Sequence, residues 1–218
     1  MTDVKPPRRT YRSPKRALQA AETRESVLSG ARDLFLSEGW SKATIAAIAT
    51  KAGVSNETVY ATFGSKTALL EELVIRAVRG GASETPLPEQ SIPRRIAAEM
   101  SQWRQIELFA RDIASVLDRV APLMDVARTA AATDPSIADL YAGFHRGRRT
   151  NLEWFANALL RNGPLRDAMD ARQAGEILWR MASPDLYLLV RRQEGLSQAA
   201  YADWLAQTLK LLLLEGEQ

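Results

Sequence analysis

A chain of 218 residues with 46% apolar and 25% charged residues has an ordinary globular composition, long enough for one large domain or two modest ones. With no cysteine and one histidine, disulfides, thiolate catalysis, cysteine-based zinc sites and most catalytic triads are excluded; no glycine-rich phosphate loop is present, and no cofactor or metal is expected. The net charge of +3 is unevenly spread, since residues 1 to 80 hold 13 Lys+Arg against 8 Asp+Glu while the remainder holds 16 against 18, so the positive charge sits where a phosphate-binding surface would need it.

Residues 1 to 22 read as a flexible basic arm. They carry Lys5, Arg8, Arg9, Arg12, Lys15 and Arg16, with few apolar residues to bury, and would either follow DNA phosphates or act as a solubilising tail. From residue 23 to 38, Val27, Ala31, Leu34 and Phe35 make one helical stripe that ends at Gly39. Thr44 to Phe63 reads as two short helices joined at Gly53. Ile45, Ile48 and Ala52 lie on one face of the first, Val59 and Phe63 on one face of the second, and Ser55 is placed to cap the second. This is the pattern of a helix-turn-helix, with Asn56, Glu57 and Thr58 in the exposed first turn. Ser65 begins a further helix with Leu69, Leu70, Leu73, Val74 and Ala77 inward, running to Gly80 and Gly81.

The run GWSKATIAAIATKAGVSNETVYATFGSK, Gly39 to Lys66, resembles the DNA-binding signature of the TetR family of transcriptional regulators. The matching features are an aromatic after glycine, Thr44, Ile48-Ala49, Ala52-Gly53-Val54-Ser55, Thr58, Tyr60, Phe63 and Lys66. The resemblance implies a repressor, a homodimer on palindromic double-stranded operator DNA, released by a small-molecule effector. Asn56 and Thr58 are the candidates for base edges, since amides pair with adenine and a threonine methyl packs on thymine. Thr44, Tyr60 and Lys66 are candidates for phosphates, and Ser55 and Glu57 complete the set. Thr62 stands where the family often carries a histidine or tyrosine that touches a phosphate, and its reach is shorter.

Residues 81 to 93 concentrate glycine, proline and polar residues, marking a linker, and residues 94 to 218 read as a helical bundle. Helices are expected at about 94 to 118, 121 to 132, 134 to 160, 171 to 182, just after Ser183-Pro184, and 197 to 214. The bundle would hold the effector, with Met100, Trp103, Phe109, Phe144, Trp154, Phe155 and Trp179 as candidate lining. His145, near Arg146, Arg148 and Arg149, is a candidate for an anionic ligand. Ile177, Met181, Tyr201, Trp204, Leu205, Thr208, Leu209 and Leu212 supply more apolar surface than one core needs, and are assigned to a four-helix dimer contact.

With no strand pattern, the fold class expected is all-α: a helix-turn-helix reader followed by an effector-binding and dimerisation bundle. No apolar run approaches the roughly 20 residues of a membrane helix, so no membrane partner and a cytoplasmic location are expected. The alternative readings are a helical protein-interaction module without DNA affinity, and an all-helical enzyme.

Overall fold

The computed structural model describes residues 14–82, 85 and 89–215, and every long element among them is helical. The reader comprises α1 (Pro14–Lys42), α2 (Ile45–Ala52), α3 (Asn56–Phe63) and α4 (Lys66–Arg79). The remainder comprises α5 (Ser91–Ala98), α6 (Gln102–Ala131), α7 (Pro135–Leu160), α8 (Ala171–Met181), α9 (Pro184–Gln193) and α10 (Gln198–Leu213). No helix among the described residues is long and apolar enough to cross a membrane.

The reader is held by the stripe expected from its sequence. Val27, Ala31 and Phe35 of α1 are buried against Ile48, Val59, Leu69 and Leu70, so each short helix hides one face on α1 or α4. Three serine and threonine caps start the short helices: Thr44 Oγ1 accepts from Ala47 N at 3.1 Å, Ser55 Oγ from Thr58 N at 3.2 Å, and Ser65 Oγ from Ala68 N at 3.0 Å. Between α2 and α3 the chain reverses at Gly53, whose φ of 69° is left-handed and whose N–H returns to the end of α2. An alanine there would meet nothing within 4 Å, so its cost is conformational rather than steric. Gly53→Ala should therefore lower the unfolding free energy by about 1–2 kcal/mol in urea titrations, with an unchanged denaturant slope.

Three boundaries differ from the sequence reading. First, α1 begins at Pro14, so residues 14 to 22 extend the support helix instead of belonging to an arm; residues 1 to 13 of that arm lie outside the described residues. The segment from Lys15 to Glu22 is rich in good helix formers, and adding turns to an existing helix avoids the cost of nucleation. Second, the linker ends earlier than expected, because Ser91 opens α5 and Pro93 sits in its first turn, where no N–H is needed.

Third, the expected pair of helices at 94 to 118 and 121 to 132 is divided elsewhere. Glu99 is extended and its Oε1 accepts from the N–H groups of Met100 and Ser101, breaking the helix there, while Ser101 caps α6. From Gln102 the helix then runs unbroken through Pro122. A proline inside a helix costs about 3 kcal/mol. Leu117, Val120, Leu123 and Met124, on either side of it, are all buried, and at about 1.5–3 kcal/mol each their burial outweighs that cost.

The reader and the bundle share a contiguous core. Both α1 and α4 lie against α6, and α4 also touches α7. The bundle then closes with α7 on α8 and α10 on α6.

Candidate nucleic-acid interface and effector cavity

The first turn of α3 projects from the reader. Asn56, Glu57 and Tyr60 are exposed, and Thr58 is half-buried with its hydroxyl 3.1 Å from Ser55 Oγ. The Glu57 carboxyl is held below the usual range by hydrogen bonds from its own backbone and from Ser55, so it stays ionised and leaves Asn56 as the neutral amide of the turn. Thr44 is exposed at the N-terminus of α2, where free backbone N–H groups favour an anion. Thr62 points back into its own helix, donating to the Thr58 carbonyl at 2.7 Å, and Arg24 donates to the Thr62 carbonyl at 3.4 Å.

Lys66 is placed differently from its sequence assignment as a phosphate ligand. Its ammonium lies 4.0 Å over the Trp40 ring and donates to the Trp40 carbonyl at 2.8 Å. Burial lowers its pKa and the Asp134 charge partly restores it. The side chain is thereby committed to the joint between reader and bundle.

Two cations take up a position that the sequence had given to a loose arm. Lys15 and Arg16, on the first turn of α1, line an open cleft together with Gln19, Arg24, Thr58 and Thr62. The start of α1 therefore lies alongside α3, and this part of the positive charge is set there by a helix.

In the bundle, a cavity of about 470 Å³ lies between α4, α5, α6 and α7. Phe109, Phe144, Trp154 and Phe155 line it as expected, with Phe109 and Phe155 stacked at 4.1 Å between centroids. Four other candidates do not. Met100 is 78% exposed in the α5–α6 break. Trp103 faces α10, with Lys210 Nζ 4.9 Å from its ring. His145 and Trp179 pack on each other at 5.6 Å in the seam between α7 and α8, and Arg149 covers Trp179 at 4.0 Å. The His145 ring also meets Arg148 at 3.2 Å through Nδ1, and burial followed by that cation lowers its pKa, which leaves it a neutral packing residue instead of an anion ligand.

The cavity also uses residues that the sequence reading did not assign to it. Val74, Ile75 and Val78 come from α4, which sequence reasoning had spent entirely on the reader's core, and Asp112, Arg148 and Asn151 are polar groups in the wall. Arg148 donates to the carbonyls of Trp179 and Ala182, each at 3.0 Å, and burial lowers its pKa to about 10, so it remains charged.

The residues assigned to a dimer contact divide between two faces of α10. Tyr201, Leu205 and Leu209 are fully buried in the subunit's own core, so they cannot form the contact surface. Trp204 and Leu212 are exposed on the outer face, Thr208 is half-buried, and Leu211 is 71% exposed beside them. On α8, Ile177 and Met181 are half-buried.

A sequence profile described as bacterial regulatory proteins, tetR family, matches residues 27–73. The chain is 42% identical over 53 residues to the HTH-type transcriptional regulator AlkX of Mycobacterium tuberculosis, covering 24% of this chain and 25% of that protein. It is 30% identical over 102 residues to the HTH-type transcriptional repressor BepR of Brucella suis biovar 1, covering 43% and 46%. The chain thus spans a quarter to less than half the length of these curated relatives. Across the whole fold it is similar to SmeT in its triclosan complex, with a TM-score of 0.68, 17% identity and coverage of 88% of this chain and 92% of that one. At that identity the likeness concerns the fold. The profile falls on the four helices that build the reader, so residues 27–73 form a helix-turn-helix of the TetR family, and over the rest of the chain the similarity to SmeT is one of fold.

Proposed function

We propose that a homodimer of this chain binds a near-palindromic operator in double-stranded DNA through α3 of each protomer, and acts as a repressor that a small molecule releases. The observation that carries this reading is the exposed first turn of α3, with the cations of Lys15 and Arg16 set beside it. Asn56 can reach base edges from there, while Thr44, Tyr60 and the two cations meet phosphates. A single unit of this kind reads only a few base pairs; two related by a two-fold axis read half-sites about 34 Å apart. BepR is described as a repressor, and SmeT holds triclosan, which supports the repressing and ligand-binding parts of the reading.

The test is fluorescence anisotropy with DNA flanking the chain's own gene. Affinity should fall steeply with salt, and replacing Lys15 and Arg16 with alanine should make that slope shallower by about one unit per lost contact. Asn56→Ala should relax preference at one position in each half-site, by about 1–3 kcal/mol of discrimination, whereas Tyr60→Phe should weaken all sequences alike. If both changes merely scale affinity, the base-contact assignment fails. A chain that binds none of this DNA at low salt would instead support the interaction-module reading.

A further inference from the structure

Most of the wall of the α4–α7 cavity is apolar, and Asp112 supplies the sole carboxylate among the described lining residues. It lies on α6 one turn from the stacked Phe109 and Phe155, on the same wall as Ile113 and Val116. Among the described residues this carboxylate takes no hydrogen bond and no ion pair; the charge that acts on it is that of Arg119, whose own donors go to the Ala77 carbonyl at 2.9 Å and Ser115 Oγ at 2.8 Å. The two cations of the lining are engaged as well. Arg148 is spread over two carbonyls and His145, and Arg79 is not free. Asp112 is half-buried, and a carboxylate partly withdrawn from water with no protein partner is a costly group to keep in a wall. Burial accordingly pushes its pKa up, against the pull of Arg119.

We propose that Asp112 anchors a lipophilic organic cation, a quaternary ammonium or protonated amine, whose apolar body packs on Phe109, Phe144, Trp154 and Phe155. The proposal rests on the reading of this cavity as the effector chamber and names the class of effector. Three features select that class. A cation restores the charge balance that Asp112 lacks, and ring faces attract it further. A neutral molecule of the same shape would dehydrate Asp112 without replacing the lost water. An anion would add repulsion to that loss. The volume of about 470 Å³ suits a molecule with one or two rings or a medium alkyl chain.

The experiment is isothermal titration of the full chain, without DNA, with benzyltrimethylammonium, its neutral isostere neopentylbenzene, and 3-phenylpropanoate. The cation should bind about tenfold or more tightly than the isostere, and the anion should not bind. Asp112→Asn should remove most of that preference, leaving what the ring faces supply, while the unliganded melting temperature stays level or rises, because the substitution deletes a charge without a partner. Trp154→Leu should weaken the cation more than the isostere, which keeps the test open if the first variant does not fold. Equal affinity for cation and isostere, or a preference undiminished in Asp112→Asn, overturns the proposal. Its failure is separable from that of the regulator reading. A chain that leaves its operator for other compounds and ignores the cation remains a regulator without this anchor, whereas one that binds the cation through Asp112 and binds no operator keeps the anchor alone.

Discussion

Replacing Leu211 and Leu212 together with glutamate should yield a folded monomer that has lost operator binding. On α10 the stripe of Tyr201, Leu205, Leu209 and Leu213 is buried in the subunit, which leaves Trp204, Thr208, Leu211 and Leu212 facing outward. Leu211, 71% exposed, and Leu212, 38% exposed, form an apolar patch on one helix with Trp204, and a second copy of the same patch would bury it. In a two-fold contact each substitution occurs twice, so the double variant brings four carboxylates together in a face that must lose its water. Within the subunit Leu211 is largely free and Leu212 is only partly covered, so the cost to folding should stay within about 1–2 kcal/mol. Leu209→Glu, by contrast, would place a charge at a fully buried position and unfold the chain, so it cannot test the contact.

The loss of DNA binding follows from linkage of the two readers. Once one half-site is engaged, the second binds intramolecularly, and losing that gain typically costs a factor of about 100 to 10,000. Light scattering should report a monomer, and anisotropy should show the operator bound no better than unrelated DNA. A variant that stays dimeric would move the contact to another face, and a monomer that keeps full operator affinity would reject the two-reader arrangement.

Trp40→Phe should leave operator binding largely intact and abolish its response to the effector. The indole N–H donates to Asp134 Oδ2 at 3.1 Å, and Asp134 caps α7 by accepting from Ser136 N at 3.0 Å. The carboxylate is held below its usual range by Ser136 first and by Trp40 in addition, so it is charged and the Trp40 bond is charge-assisted. From that cap α7 runs on to line the cavity with Phe144, Arg148 and Phe155. On the reader side, Trp40 stacks on Phe35 at 5.5 Å and immediately follows Gly39, whose φ of 75° breaks the helical path of α1. A displacement of α7 by a ligand therefore reaches the end of α1 through one hydrogen bond, and α2 and α3 follow.

The magnitudes agree. Hydrogen bonds to charged groups contribute about 1.5–3 kcal/mol, and allosteric couplings are typically about 1–3 kcal/mol, or 5- to 150-fold in affinity. If the bond is kept in one state and lost in the other, it can supply most of the coupling. Phenylalanine retains the ring that Lys66 and Phe35 pack on but has no N–H, so anisotropy with and without effector should show the fold-change fall to near one. By reciprocity the operator should cease to weaken effector binding as well. An undiminished response would place the transmission in α4 alone, through Val74, Ile75 and Val78.

The reader was legible in the sequence because the interactions that define it are local. A cap acts over three residues, as from Thr44 to Ala47 and from Ser55 to Thr58, and the left-handed turn at Gly53 closes on the helix just before it. Such signals survive in any tertiary context, and so did the stripe of Val27, Ala31 and Phe35. The bundle was legible only as helices. Phe109, Met100, Trp103 and Trp179 all share a helical spacing in the sequence, but that spacing does not say whether a position faces a cavity, a solid core or a seam, or falls, as Met100 does, in an exposed break between helices. Tyr201 and Leu212 on α10 were indistinguishable for the same reason, until the neighbouring helices covered one and left the other exposed. Lys66 belongs with them. Its ammonium suits a phosphate in isolation, and the ring and carbonyl of Trp40 drew it inward. Periodicity and caps, acting along the chain, determined that the chain is helical and where the reader turns; the packing of distant helices, which no local pattern encodes, decided where the helices of the bundle break and what each helix faces.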